Sequence, residues 1–159
     1  SVSAQIVASR KLLSERIERT RNTPGSREVV PIALPQMATY RMSRRLRGRA
    51  EPSAEAALAP HPDTICRIGH WAKPGPSYSI PYGSLIGETP NLFVAGRCIS
   101  IDDDLWNASR AIPACAATGE AAGVAAAFIA ESGGTAQELD VGDLRRRLAE
   151  AGGLLDPPT

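Results

Sequence analysis

The sequence predicts an α/β fold, and three observations carry that expectation. Asn91-Leu92-Phe93-Val94-Ala95-Gly96 is a short apolar run closed by glycine, the pattern of a buried strand. From Pro113 to about Glu131 nearly every side chain is small and apolar, which reads as a long helix ending before Gly133-Gly134. Ile6, Leu13 and Ile17 near the start, and Leu144 and Leu148 near the end, recur among charges at helical spacing.

Each element follows from its residues. The first helix covers about Ser3 to Thr20 and is stopped by Asn22-Thr23-Pro24-Gly25. Val29, Val30, Ile32 and Leu34 predict a strand, which Pro31 and Pro35 confine to a sheet edge or break into short extended pieces. A basic run follows: Arg41, Arg44, Arg45, Arg47 and Arg49. Glu51 to Leu58 reads as a helix start, with Pro52 leading in and Ser53 as cap. Pro60 to Ser79 reads as loop with short strands, and Asp102, Asp103 and Asp104 as part of a polar loop. A last amphipathic helix, about Val141 to Ala151, is entered through Asp140; it turns Leu144 and Leu148 inward and Arg145, Arg146 and Arg147 outward.

Composition narrows the function classes. With 43% hydrophobic and 22% charged residues, a chain of 159 residues can bury a core of its own. The formal charge is only +1, so no bulk field draws the chain to nucleic acid or an acidic membrane. Cys66, Cys98 and Cys115 are odd in number and far apart, neither a disulfide framework nor a metal cluster, which points to a reducing, cytoplasmic setting. The first residues show no signal-peptide pattern. The stretch Ala111 to Ala130, with its Gly119–Gly123 pair, has the look of a membrane span; Glu120 in its middle and its alanine content favour a buried helix of a soluble protein.

A strand ending in glycine, then a helix of Ala and Gly, suits close approach to a phosphate-bearing cofactor at the helix N-terminus. The same residues equally suit tight packing of a helix on a sheet. The two histidines, His61 and His70, are the acid–base candidates. His61 stands between prolines, while His70 beside Trp71 either lines a substrate face or packs a loop. Tyr82 and Trp106 can reach a ligand or fill the core. Asp102 to Asp104 can hold a divalent cation, though such runs are usually solvated, and no metal is expected.

Read together, the segments resemble one family. Ile80-Pro81-Tyr82-Gly83-Ser84-Leu85 followed by Asn91 to Ser100 is similar to the "IPYxSL … NLxVAGRCIS" series of the FAD-dependent oxidoreductase family. That family shares its cofactor fold with glutathione reductase and fumarate reductase flavoproteins. Arg110-Ala111-Ile112-Pro113-Ala114-Cys115 with Ala117 to Gly123 resembles its "RxxPxCxATGxAAG" segment, and Arg41 to Gly48 resembles "RESRRIxG".

The resemblance implies the end of a mixed, partly antiparallel substrate domain over residues 1–85. Over residues 86–159 it implies the C-terminal part of a Rossmann-like FAD-binding domain. It places Gly96, Arg97, Cys98, Ser100, Arg110, Pro113, Thr118, Gly119, Ala121 and Ala122 at FAD, and Arg44, Arg45, His70 and Tyr82 on the substrate side. The implied activity is oxidation or reduction of a small organic substrate by hydride transfer.

Met42 stands where the family usually has Glu, and Asp103 where relatives often carry His. No GxGxxG occurs in the sequence, so the half that holds the ADP moiety is expected from an N-terminal region or a partner chain in a hetero-oligomer. The alternative is a non-catalytic small subunit or interaction module that completes a partner's fold.

Overall fold

The computed structural model describes residues 1–25, 29–34 and 43–156. Pro35, Arg41 and Met42, for which the sequence raised expectations, lie outside these residues. The chain divides into two compact units, Ser1–Ser43 and Arg44–Thr159; the division expected near residue 85 falls inside the second.

The first unit is built on α1, Val2–Arg21. Ser1 Oγ accepts the Ala4 N–H at 3.3 Å and caps the helix. Arg19 and Arg21 lie in its last turn, where cations suit the helix dipole. Ile6, Leu13 and Ile17 are half-buried, and no residue of α1 is fully buried. Among the described residues the strand expected from Val29 to Leu34 is not formed, and the Val29 carbonyl accepts the Arg21 Nε–H at 2.9 Å. Pro31 has no N–H to give a ladder, and Val30, Ile32 and Leu34 are exposed.

The second unit holds the core. Its sheet is an antiparallel pair, β1 (Thr64–Gly69) and β2 (Ser77–Pro81), with Cys66 opposite Ile80 and Ile68 opposite Tyr78. A register shift between Thr64 and Cys66 bends the start of β1. β1 is buried almost throughout, because α3 (Ile112–Ser132) and α4 (Val141–Glu150) pack on it. Arg67, on the half-buried position of β1, reaches across to Ser77 Oγ and Ser79 Oγ at 2.7–3.1 Å. Ile65, Ile80, Leu85, Ile99, Ile101, Leu105 and Leu144 are the large side chains sealed from water.

Several expectations change here. The apolar run at 91–96 forms one isolated antiparallel bridge, Ile86 to Phe93, rather than a strand. Asn91 turns left-handed (φ 52) at its start, Gly96 (φ 71) ends it, and Leu92 is exposed. Asp102 to Asp104 are not a loop: Asp102 Oδ1 accepts the Leu105 N–H at 2.8 Å and caps α2, Asp103–Ser109. Asp103 and Asp104 occupy its first turn, where carboxylates favour the helix dipole. The helix start at Glu51 is a single 3-10 turn, Ala56–Leu58, with Ser53 Oγ accepting the Ala56 N–H.

α3 begins one residue before Pro113 and stops at Gly133 (φ 78). It is long and apolar enough to cross a membrane by length and composition. One face, with Ala114, Thr118, Ala121 and Ala125, is buried in the core. In α4, Asp140 Oδ1 caps Gly142 and Asp143, and Leu144 and Leu148 are buried, each contributing about 2 kcal/mol of burial. Arg145 does not face solvent as expected; its guanidinium donates to the Thr64 carbonyl and to Asp156. Arg146 pairs with Asp143, and Arg147 lies over the Phe128 ring and pairs with Glu131.

Candidate functional site

The three motif segments come together at two neighbouring places with opposite character. The first is a strap, Arg45 to Ala50, held by backbone hydrogen bonds. Leu46 N–H donates to the Cys98 carbonyl at 2.8 Å, Arg49 N–H to Ile86 at 3.0 Å and Ala50 N–H to Gly83 at 3.1 Å. Glycines make the approach possible. A Cβ at Gly48 would lie 2.6 Å from the Gly83 carbonyl oxygen, and one at Gly87 would lie 2.8 Å from that of Arg47.

Tyr82, in the 3-10 turn after β2, is buried against this strap region, and its hydroxyl donates to the Ala136 carbonyl at 2.8 Å. Burial pushes the phenol up to about 12, so it holds its proton at neutral pH. Ser84 and Ser100 are sealed nearby, joined through the Ser100 N–H to Ser84 carbonyl bond at 2.9 Å. Their hydroxyls have no hydrogen-bond partner among the described residues. Arg45 is held by two carboxylates, Glu51 and Asp103, the latter at 2.7 Å. Asp103, at the position where relatives often carry His, thus neutralises a guanidinium. Arg44 is exposed and has no side-chain partner among the described residues.

The second place is the junction between α2 and α3, where the Gly96–Cys98 3-10 turn packs on α3. Gly96 N–H donates to Thr118 Oγ1 at 3.0 Å, and the Thr118 hydroxyl donates back to Ala114 at 2.9 Å. Thr118 therefore tethers the turn to the helix from inside the core. Arg97 and Cys98 are exposed. At the start of α3, Ala111 offers no side-chain cap, and Ile112 and Pro113 are exposed. First-turn amides of a helix without such a cap attract anions and polar oxygens. Gly119 is exposed and has no heavy atom within 4 Å of where a Cβ would stand; Ala122 is half-buried and Ala121 faces the core.

Arg110 joins this junction. Its guanidinium lies 5.1 Å from the Trp71 ring centroid and 5.5 Å from that of Trp106, and its Nε donates to Asn107 Oδ1 at 3.0 Å. His70 stacks beside Trp71 at 6.2 Å between centroids, with Nδ1 accepting the Ala72 N–H. The structure thus gathers Gly96, Arg97, Cys98, Arg110, Pro113 and Thr118 around one junction. Arg45, Tyr82 and Ser100 belong to the strap. Sequence reasoning passed over Trp71 and Asn107 as partners of Arg110; the adjacency of His70 and Trp71 was the available signal, while Asn107 had none.

An open helix start beside a glycine turn, with the exposed Arg97 next to it, suits an anionic or dipolar ligand. The comparisons place the chain more closely: the model of the family described as FAD dependent oxidoreductase matches residues 4–148. The chain belongs to that family, and FAD is the family's cofactor. No curated protein and no solved structure matches the chain. The residues present fit part of FAD. The uncapped α3 start and Arg97 suit its anionic and carbonyl groups, whereas the sequence contains no GxGxxG for the ADP half.

Proposed function

We propose that this chain forms the C-terminal wall of the cofactor site in a flavin-dependent oxidoreductase acting on a small organic substrate. Residues 1–85 belong to the substrate side and residues 86–159 close a Rossmann-like FAD domain. The GxGxxG half comes from an N-terminal region or a partner chain. The observation that carries this reading is the uncapped start of α3 against the Gly96–Cys98 turn.

When bound, FAD supplies the acceptor or donor of a hydride. The α3 amides and Arg97 favour negative charge there, which stabilises a reduced, anionic cofactor. Arg44 and His70 stand as the substrate-side candidates, since the Arg45 charge is already paired and the Tyr82 hydroxyl is bound inside the fold. The cysteines are all unpaired, which supports a reducing, cytoplasmic setting. The same pairing of Arg45 supports a second reading, a subunit that completes a partner's fold without chemistry of its own.

Ala111→Asp tests the first reading. Ala111 has the extended backbone of a cap (φ −67, ψ 151), so an aspartate there would cap α3 and raise stability by about 1 kcal/mol. It would also occupy the amides with a carboxylate and repel the cofactor. The expected outcome, read by thermal unfolding and flavin absorbance of the purified assembly, is a more stable protein that has lost most of its flavin. Full flavin retention would move the cofactor away from α3. Flavin reduction by candidate substrates, absent in every assembly, would favour the second reading.

A further inference from the structure

We propose that Arg110, clamped between Trp71 and Trp106, binds the carboxylate of a flat, conjugated or aromatic acid, with Trp71 as its positioning residue. The place of this fork beside the cofactor rests on the flavin reading above. Its chemistry rests on the geometry alone.

Arg110 ends α2 and stands two residues ahead of α3. Its guanidinium is within cation–π range of both indoles. Each indole is itself anchored: Trp71 Nε1 donates to the Asn107 carbonyl at 2.9 Å, and Trp106 Nε1 to the Arg97 carbonyl at 3.3 Å. Asn107 also takes the Arg110 Nε–H, so one residue fixes both the arginine and its aromatic wall.

What is left over is informative. The two terminal amino groups of Arg110, with four N–H donors, have no protein partner among the described residues. No carboxylate among the described residues neutralises them, in contrast to Arg45, Arg145, Arg146 and Arg147, each of which is paired. A guanidinium held by its ring neighbours and its Nε presents a preset planar fork, the geometry that matches a carboxylate through two parallel bonds. Phosphate can also accept such a fork.

The surroundings favour a flat carboxylate. Trp71 is 60% exposed, so an indole is open beside the fork, and His70 extends the same wall in a near-parallel stack of 18°. A conjugated acid can stack on that surface while its carboxylate meets Arg110; a phosphate gains nothing from the rings.

Both tryptophans of this sequence lie against Arg110, so their emission responds to a ligand at this site. The experiment titrates the flavin-loaded protein with benzoate, benzamide and inorganic phosphate, by calorimetry and by tryptophan emission. Benzoate is expected to bind saturably and change the emission, whereas benzamide is not. Arg110→Lys keeps the charge but loses the planar fork and should weaken benzoate about tenfold. Trp71→Phe should retain most of the affinity and Trp71→Ala should lose it several-fold.

Absence of saturable benzoate binding, unchanged affinity in Arg110→Lys, or phosphate binding tighter than benzoate would each overturn the assignment. Flavin absorbance of the same samples separates the two readings. Flavin-loaded protein that ignores benzoate overturns the fork alone, and protein that binds benzoate without flavin overturns the cofactor reading alone.

Discussion

The strap around Gly48 and the junction around Arg110 are built from the same family motifs, yet one is closed and the other open. In the strap, backbones meet where side chains would collide, the phenol of Tyr82 is bound inside, and the Arg45 charge is paired. At the junction, Arg97, Ile112, Pro113 and Gly119 are exposed, and the Arg110 amino groups have no counter-ion among the described residues. A motif residue can therefore belong to a family for two different reasons. Some, like Gly48 and Gly83, let the chain close on itself, and others are positioned to face something the chain does not contain. The difference is measurable.

The largest contrast is in thiol chemistry. Cys66 on β1 is buried, and burial pushes its thiol from 9.0 up to about 12, whereas Cys98 at the junction is exposed. A pKa rise of that size cuts the thiolate fraction about a thousandfold at neutral pH. Mass-resolved alkylation of the native protein should label Cys98 early and Cys66 only on unfolding. Equal labelling of the two would mean that the hairpin core opens readily.

Next comes Gly48→Ala. The added methyl would stand 2.6 Å from both the Gly83 carbonyl oxygen and Ser100 Cβ, neither of which is a flexible side-chain end. Parting the strap from its neighbours should cost about 3 kcal/mol, read as a lower denaturant midpoint at constant slope. An unchanged midpoint would show that the strap is not closed in solution.

Tyr82→Phe probes the same region more gently. It removes the bond to the Ala136 carbonyl and leaves that buried acceptor unpaired, a loss of about 1–2 kcal/mol. The pH dependence has a definite sign. The Tyr82 phenol lies at about 12 in the folded protein against an ordinary 10.0, because burial disfavours the phenolate. Its contribution is whole below pH 10.0 and fades as pH rises toward about 12. Wild-type stability should fall across that window, and Tyr82→Phe should fall less steeply there, in pH-resolved denaturant unfolding.

How much of this was legible in the sequence depends on whether the information was local. α1, α3 and α4 were, because periodicity, Pro113, Asp140 and Gly133 act within a turn or two of chain. The strand at 91–96 was not, because a strand needs a neighbouring strand, and this run has a single bridge, Ile86 to Phe93, beside the Val94 N–H bond to the Leu85 carbonyl. The helix α2 was hidden for the opposite reason: three aspartates look like a solvated loop until Leu105 and Ala108 are seen to be buried behind them. Motif matching brought the right segments to the site but could not divide them. That Arg45 is neutralised while Arg110 is not depends on Glu51, Asp103, Asn107 and Trp71, whose pairings cross up to 58 positions of sequence.

Gly119→Ala gives the smallest effect and the sharpest separation of the two regions. Gly119 lies within α3, exposed, with open space where a Cβ would stand. Replacing a helix-interior glycine by alanine removes backbone freedom from the unfolded chain, so stability should rise by about 0.5–1 kcal/mol. The same change at Gly48 is expected to destabilise several times as much, because there the space is already filled. A rise in melting temperature with unchanged flavin content would mark Gly119 as a site where alanine is tolerated beside the cofactor. A rise accompanied by flavin loss would mean that the backbone of α3 at Gly119 lies in contact with the cofactor, within the thickness of one methyl group. A fall in stability would show that the outer face of α3 is packed against protein in the assembly.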